Sequence, residues 1–521
     1  MKNRKFIFID PPYERIAKGY EFVKHVTNGV PALGLLHLAA EVRLNGYEPS
    51  IIESDIFGLT EEAVANQVIK EAPAFVGITL FTVGVWGAAG IARRIKAALP
   101  DTKIIVGGPH ISSMGVETIQ RFPEFDLAIV GEGERVLTEL LKTWESGAQE
   151  SGVRGIIYRD GDQVLKTLPN AINKSLDDLP MPAWDLLPDF PRRYKPAIYD
   201  FPRGPVASIA ASRGCPFHCK FCDTSTFGAS VRAYSPAKVF EMMKHLRKTY
   251  GVRHVMFVDD LFLASRERVT ALCNLLVADG LNMTWTCAAR VDTVKPDLLE
   301  LMKKAGCWEI SFGLETGSDE LLKAMDKVAS VAKSEQALNW THKAGIRSKG
   351  LFMLGYPGEN EETIKLTKAF VKRIPMTMMN LSKFTPYPGS PVYREIYGTN
   401  IRDDHWQKMN GMNFVWAAPG LTFEQLDREF QEILKSFYLQ PRVMNHYTML
   451  TLRHPGHFFR AMKFVFGYFR AKVRSVLGGR GGSLLEQNEV VLDKMPDQHV
   501  TPPPVVAAAE PHVHEEATHS H

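Results

Sequence analysis

Short apolar segments alternate with amphipathic ones over residues 1–146. The apolar segments have the length of buried strands, and they are Phe6–Ile9, Ser50–Glu53, Phe75–Leu80, Lys103–Val106 and Leu127–Val130. The segments with helical spacing are Leu33–Asn45, Glu61–Glu71, Trp86–Leu99, Val116–Phe122 and Glu134–Trp144. This alternation predicts a doubly wound, Rossmann-like α/β domain with a parallel sheet. Ligands bind such sheets at the carboxyl ends of the strands.

The alternation restarts near residue 201. Six further segments read as strands, namely Val206–Ala211, His254–Val258, Thr284–Ala288, Trp308–Leu314, Ser348–Leu354 and Met379–Phe384. Helical patterns lie between them, such as Ala237–Tyr250, Arg266–Asp279 and Pro296–Ala305. Six such units predict a partial (β/α)6 barrel over residues 201–400, rather than a closed barrel of eight. In barrels the chemistry takes place at the C-terminal ends of the strands.

The remaining segments have different patterns. Residues 147–200 are predicted to form a linker that contains a small hairpin, and residues 401–477 a helical C-terminal extension. Within that extension, 457–477 have an aromatic face opposite Lys and Arg, which fits either an interfacial membrane helix or a helix docked on the barrel. Residues 478–521, rich in Gly, Pro, Ala and His, are predicted to be a disordered tail. The tail histidines either bind metal weakly or are solvated.

Composition narrows the class of protein. A chain of 521 residues is long enough for two or three domains, and its apolar fraction of 45% can form large cores. A net charge of +4, from 62 basic and 58 acidic residues, argues against nucleic acid as a partner. The six cysteines do not have the distribution of a disulfide framework, so we expect a cytoplasmic protein.

Three cysteines, Cys215, Cys219 and Cys222, lie in one short segment directly after the first strand of the predicted barrel. Their spacing is Cys-x3-Cys-x2-Cys, and closely spaced thiolates ligate iron–sulfur clusters. The alternatives are a zinc site or three buried thiols. A structural zinc site takes four ligands, and this chain has no second cysteine pair.

This motif, with Phe221 directly before the last cysteine, resembles that of the radical S-adenosylmethionine (SAM) enzymes. The resemblance implies a [4Fe–4S] cluster whose fourth iron binds SAM and whose electron cleaves it to a 5′-deoxyadenosyl radical. Phe221 would then pack near the adenine. The resemblance also assigns SAM contacts to residues at successive strand ends, namely Asp259, Asp260, Arg290, Glu315 and Gly355. Each of these residues could instead be a helix cap or part of a structural salt bridge.

The first domain is similar to the cobalamin-binding domain that precedes the barrel in B12-dependent radical SAM proteins. Thr79, Gly107 and Gly108 match the positions that flank cobalamin in that family, and Asp10, His110 and Gly131 lie in the neighbouring strand-end loops. The Asp-x-His-x-x-Gly motif that supplies a cobalt ligand in other B12 proteins is missing after the first strand. The alternative is a degenerate domain that binds nothing.

These resemblances imply a radical SAM enzyme that uses cobalamin to methylate an unactivated carbon. The branch it resembles contains the anaerobic magnesium-protoporphyrin monomethyl ester cyclase and hopanoid-modifying enzymes, so radical oxidative cyclisation of a tetrapyrrole or hopanoid-like substrate is the alternative. A non-catalytic cobalamin sensor is the alternative from another class. Expected partners are a small, lipophilic substrate, a reductant such as flavodoxin or ferredoxin, and the inner membrane face through residues 457–477.

Overall fold

The computed structural model describes residues 3–12 and 29–453, together with five positions between 458 and 466. Its first sheet has seven strands in the order β2-β1-β3-β4-β5-β6-β7. The strands are β1 Lys5–Asp10, β2 Glu48–Glu53, β3 Phe75–Thr79, β4 Lys103–Gly107, β5 Leu127–Ile129, β6 Ile156–Asp160 and β7 Gln163–Lys166. The first five are parallel, as predicted, and their order is that of flavodoxin-like folds, with a switch point between β1 and β3.

Helices cover both faces of this sheet. They are α1 Leu33–Leu44, α2 Ser54–Phe57, α3 Glu61–Glu71, α4 Val85–Ala98, α5 Pro109–Arg121 and α6 Glu134–Glu145. The predicted start of α5, Val116, was wrong by two turns. The helix begins at Pro109, because proline is tolerated at the first helical position, where its missing N–H costs no bond.

The predicted hairpin in 147–200 is β6 and β7, and it is part of the first sheet. β6 pairs antiparallel with β5, and Ile129 faces Ile156 in the register. The sheet is therefore mixed at one edge. Beyond the hairpin, Leu179 and Trp184 are buried in a hydrophobic core that also contains residues of α1 and α7.

The second sheet is parallel and has six strands, in the order β15-β14-β13-β12-β11-β8. The strands of this half are β8 Val206–Ile209, β9 Ser212–Arg213, β10 Arg232–Ala233, β11 His254–Phe257, β12 Thr284–Ala289, β13 Cys307–Glu315, β14 Arg347–Leu354 and β15 Met378–Lys383. β9 and β10 form a separate two-stranded hairpin. The partial (β/α)6 barrel is confirmed, with β8 and β15 at its two edges.

Helices pack on the outside of the barrel and extend beyond it. They are α7 Pro236–Tyr250, α8 Arg266–Asp279, α9 Pro296–Lys304, α10 Asp319–Ala324, α11 Val331–Lys343, α12 Glu361–Arg373, α13 Pro391–Tyr397, α14 Phe423–Tyr438 and α15 Pro441–Arg453. Ser235, Ser265 and Ser330 each accept an N–H bond at a helix start, as good N-caps do. Trp406 and Met409 of the extension pack into the core on the second face of the first sheet.

Candidate functional site

The cysteine segment is the loop of the β9–β10 hairpin. Cys219 is buried, Cys215 is half-buried and Cys222 is exposed. The Cys222 N–H donates to the Cys219 carbonyl at 3.0 Å, which closes a turn between the last two cysteines. The Lys220 N–H donates to the Met325 carbonyl at 3.0 Å, so the end of α10 supports the loop from outside.

Two cations stabilise negative charge at this loop. Burial raises the pKa of the Cys219 thiol, whereas the nearby charges of Lys327 and Arg290 lower it. A bound cluster takes cysteine as thiolate, so these cations favour the ligating form. Three thiols on one loop, with two cations beside them, fit an iron–sulfur cluster.

A structural zinc ion would need a fourth ligand. His218 of the loop is exposed, and Cys273, Cys287 and Cys307 are buried in α8, β12 and β13. Among the described residues, no three His, Cys, Asp or Glu groups could hold a single metal ion together. A cubane cluster distributes its thiolates over separate irons and does not require that convergence.

Asp259 and Asp260 follow β11 and bind the backbone around the cysteine loop. The Asp259 carboxylate accepts from the Ala211 N–H at 2.8 Å and from the Ser212 hydroxyl at 2.5 Å. Asp260 accepts from the Gly214 N–H at 3.0 Å. Burial raises the pKa of Asp259 to about 6, although these bonds oppose the shift. Both residues thus shape the loop entrance, and only Asp260 is exposed to a ligand.

Arg290, after β12, is engaged within the chain. Its guanidinium forms a two-point ion pair with Asp292, with both N–O distances at 3.0 Å. It also stacks on Phe217 of the cysteine loop, with 3.6 Å from Cζ to the ring centroid. This geometry places a positive charge at the loop, but it uses the fork that was predicted to bind the SAM carboxylate.

Glu315 ends β13 in a left-handed backbone conformation, with φ of 61°, next to a register shift in the ladder. Its carboxylate pairs with Lys327, and both side chains are largely buried. Lys327 also lies 5.8 Å from the Phe221 ring centroid. Lys327 was not predicted, because it lies beyond α10 and not at a strand end.

Gly355, after β14, lies beside a buried carboxylate that the sequence did not reveal. The Gly355 N–H donates to Glu359 at 3.0 Å, and the Thr363 hydroxyl donates to its other oxygen at 2.8 Å. Burial raises the pKa of Glu359 to about 7. The next residue, Tyr356, packs edge-on against Phe221 at 6.5 Å, so this strand end and the cysteine loop adjoin.

Charged pairs lie near the amino ends of two barrel strands, β13 and β14. Arg347 pairs with Glu309 at 3.3 Å, and Lys349 pairs with Asp200 at 3.0 Å. All four residues are largely buried. These pairs lie at the end of the strands opposite the one that carries the cysteine loop.

Four neighbouring strand ends of the first sheet form a cradle at the carboxyl edge of that sheet. Asp10, Thr79, Gly107 and Gly131 follow or end β1, β3, β4 and β5. Gly108 has φ of +100°, and a Cβ there would lie 3.0 Å from the Thr79 hydroxyl and from the Leu80 carbonyl. Only glycine fits this position without strain. Gly108 therefore lets the segment after β4 pack closely against the end of β3. The edge formed in this way, at the carboxyl ends of the strands, is where such sheets bind ligands, which fits cobalamin.

His110 lies inside the first domain and not in the cradle. Its ring nitrogens are within hydrogen-bonding distance of the Thr82 and Thr118 hydroxyls, at 3.1 and 2.9 Å. The ring contacts Trp406 edge-on at 4.5 Å, and burial lowers its pKa to about 3. Because both nitrogens are engaged, the ring has no free donor or acceptor for a cofactor.

Part of the predicted amphipathic segment 457–477 is described. Phe458, Phe459, Met462 and Phe466 are between 46% and 70% exposed. The rest of that segment and the predicted tail lie outside the described residues. Among the helices that the structure describes, none is long and apolar enough to cross a membrane.

Comparison with known proteins supports the predicted identity of both domains. Residues 209–371 match the model of the radical SAM superfamily, and residues 22–141 match the B12-binding domain. An uncharacterized methyltransferase of Pyrococcus horikoshii is 30% identical over 85% of this chain and 94% of its own length. The chain belongs to the B12-binding radical SAM family.

A second relative in sequence and one solved structure extend the comparison. The anaerobic magnesium-protoporphyrin IX monomethyl ester cyclase of Cereibacter sphaeroides is 25% identical over 85% of this chain and 71% of its own. The solved structure of the radical SAM methyltransferase TsrM from Kitasatospora setae, with cobalamin and a [4Fe–4S] cluster bound, has a TM-score of 0.65. TsrM is 16% identical to this chain, and the match covers 84% of this chain and 90% of the TsrM chain, so it shows the shared fold.

As a B12-binding radical SAM protein, this chain is an enzyme, and its cofactors are a [4Fe–4S] cluster, SAM and cobalamin. These predictions are confirmed. The cyclase relative is named for a small molecule, a magnesium protoporphyrin, and reductive cleavage of SAM needs a one-electron reductant. The predicted contacts of individual residues with SAM and cobalamin stay predictions.

Proposed function

We propose that the protein transfers a methyl group to an unactivated carbon of a small molecule. The observation that carries this proposal is the contact between the two halves: a Cβ at Gly131, in the cradle, would lie 3.4 Å from the Thr226 carbonyl of the cysteine loop. Two cofactor sites that adjoin in this way fit one shared substrate. The name of the Pyrococcus horikoshii relative also supports methyl transfer.

Each half of the chain has a separate task in this proposal. When bound, the cluster with SAM supplies a carbon-centred radical and cobalamin supplies the methyl group. Cys215, Cys219 and Cys222 hold the cluster, while Lys327 and Arg290 stabilise its negative charge. The buried ion pairs near the amino ends of β13 and β14 would help to exclude water from that side of the barrel while the radical exists.

We further propose that residues at the cysteine loop and at the cradle contact the cofactors. Phe221, Asp260, Glu315 and Gly355 line the SAM side. Asp10, Thr79, Gly107, Gly108 and Gly131 line the cobalamin side. Phe81, directly after the Thr79 and Leu80 positions, is 48% exposed and offers an aromatic face there.

We further propose that the substrate is lipophilic and that the protein contacts the membrane surface peripherally through residues 457–477. The exposed aromatic side chains of Phe458, Phe459 and Phe466, with Lys463 among them, support this proposal. Aromatic groups beside basic ones are typical of interfacial helices.

The test is anaerobic reconstitution with iron, sulfide, cobalamin and a flavodoxin or dithionite reductant, followed by incubation with methyl-deuterated SAM and extracts of lipids and tetrapyrroles. Methyl transfer predicts a labelled product together with equal amounts of S-adenosylhomocysteine and 5′-deoxyadenosine. Oxidative cyclisation, which the cyclase relative suggests, predicts 5′-deoxyadenosine without S-adenosylhomocysteine. A protein that binds cobalamin but cleaves no SAM would contradict both enzyme proposals and favour a sensor.

A further inference from the structure

A buried cluster of four charges joins the first domain to the cysteine hairpin. Arg213 pairs with Glu134 at 2.6 Å and with Glu132 at 3.4 Å, and Arg232 pairs with Glu132. The four side chains are at most 10% exposed. Buried pairs of this kind are costly to break, because removing one partner leaves the other charge without compensation.

The two arginines flank the cysteine loop. Arg213 lies two residues before Cys215, and Arg232 is its direct partner across the β9–β10 ladder. Two like charges opposite each other in a ladder repel. Glu132 contacts both, so it is the group that allows them to be neighbours.

The acidic partners come from the cobalamin side. Glu132 follows Gly131, the residue of the cradle that approaches Thr226, and Glu134 begins α6. Further bonds hold the hairpin to the same region: Arg232 also donates to the Asn173 carbonyl at 2.9 Å. His37 of α1 faces this cluster as a neutral group, since burial and Arg213 lower its pKa to about 4.

We infer that Glu132 is a positioning residue that sets the separation between the cysteine loop and the cobalamin cradle. Arg213 and Arg232 are the groups through which it acts. The inference rests on the proposed function, because that separation affects the reaction only if both sites serve one substrate. A misplacement of about 1 Å between reacting groups can lower a rate by about a hundredfold.

The test compares Glu132→Gln, which removes the charge at nearly constant shape, with Asp279→Asn as a control. Asp279 forms a half-exposed pair with Lys244 between two outer helices, far from both sites along the chain. Pulsed EPR on protein that carries cob(II)alamin and the reduced cluster gives the distance distribution between the two centres. For Glu132→Gln we expect a broader or shifted distribution, and at least a roughly tenfold fall in methylated product per 5′-deoxyadenosine. Asp279→Asn should match the wild type.

A second variant keeps the inference testable if Glu132→Gln does not fold. Glu132→Asp keeps the charge but shortens its reach, and it should give a smaller shift in the distribution and a smaller fall in the product ratio. A wild-type distribution and product ratio in either folded variant, even with a lower unfolding midpoint of the cofactor-free protein, would make the cluster merely structural and overturn the inference. If the wild type carries both centres but makes no methylated product, the proposed function fails, and the distance distribution alone decides the role of Glu132.

Discussion

The ammonium group of Lys327 donates a hydrogen bond to the carboxylate of Glu315, next to the aromatic ring of Phe221. This one pair connects the end of β13, the segment after α10 and the cysteine loop. Its side chains are 6% and 11% exposed, so bulk water screens the two charges only weakly. The pair therefore holds together the wall of the site that we propose to contact SAM.

Replacing Lys327 with Gln should leave the Glu315 charge buried without its partner. We expect the free energy of unfolding to fall by about 3 kcal/mol, at the lower end for broken buried pairs because Glu315 retains some exposure. SAM should also bind more weakly. Urea titration of the cofactor-free protein and calorimetric SAM binding measure the two effects.

The matched control for that variant is Lys365→Gln, which breaks an exposed pair with Glu362 on α12. Such surface pairs contribute about 0–1 kcal/mol to the free energy of unfolding. If both variants lose the same free energy of unfolding, Lys327 and Glu315 are no more strongly coupled than surface groups.

Replacing Cys215, Cys219 and Cys222 with Ala should abolish cluster binding and SAM cleavage. The wild type should contain about four irons per chain after reconstitution, and the triple variant almost none. Cys287→Ala is the control, because this thiol is buried in β12 and should not affect iron content. Iron analysis and 5′-deoxyadenosine formation check both, and retained cleavage in the triple variant would refute the cluster assignment.

Glu359 predicts a specific pH dependence of stability. Its pKa of about 7 in the folded protein exceeds its ordinary value of 4.5, so the folded state binds the proton more tightly than the unfolded chain does. This contribution, roughly 2–4 kcal/mol, is fully present below pH 4.5 and is lost as the pH rises to about 7.

Glu359→Gln keeps an acceptor for the Gly355 N–H and removes the titration. The stability of the variant relative to the wild type should therefore increase between pH 5 and pH 8. Urea titrations of the cofactor-free proteins at those two pH values measure it. If the difference in free energy of unfolding between the two proteins is the same at both pH values, the raised pKa of Glu359 is contradicted.

His110→Gln should destabilise the first domain without changing the cobalt environment. The variant loses a hydrogen bond to a threonine hydroxyl and the contact with Trp406, which together predict a loss of about 1–3 kcal/mol. The EPR spectrum of bound cob(II)alamin should be unchanged. A changed nitrogen splitting would show that His110 affects the cobalt directly and would contradict this prediction.

The exposed aromatic residues predict binding to anionic membranes. Replacing Phe458, Phe459 and Phe466 with Ser in the full-length protein should lower co-flotation with vesicles of phosphatidylglycerol and phosphatidylethanolamine at least severalfold. Leu168→Ser, which changes an exposed apolar residue of the linker, is the control. SAM cleavage should be the same in the wild type, the triple variant and Leu168→Ser. Equal flotation of these three proteins would contradict the proposed membrane contact.

Strands with strong periodicity were predictable, because a buried parallel strand needs an apolar run that is bounded by turn residues. All six barrel strands occur within a few residues of their predicted bounds. The joining of β6 to β5 was not predictable, since hydrophobic pattern does not say which strand edge a hairpin will pair with. The start of α5 was missed because Gly107-Gly108-Pro109 reads locally as a loop.

The site was predictable where function depends on residue type and spacing, as for the three cysteines. The site was less predictable where a side chain can bond either to a ligand or to another residue of the chain. Asp259 and Arg290 were expected to contact SAM, and the structure adds bonds within the chain that the sequence did not predict, from the Ala211 N–H to Asp259 and from Arg290 to Asp292. Glu132 and Lys327 were missed because their partners are distant in sequence, whereas Glu359 was missed because its local pattern does not show that its carboxylate is buried.

The core that runs from α1 under Trp184 to α7 belongs to both halves at once. A barrel expressed without residues 1–200 would expose this apolar surface, and a first domain cut at residue 146 would lose the β6–β7 hairpin that covers the β5 edge. Neither half is therefore an independent module. Exchange of the cobalamin domain between relatives, in evolution or in engineering, would have to include the segment through Trp184 and the residues of α7 that it contacts.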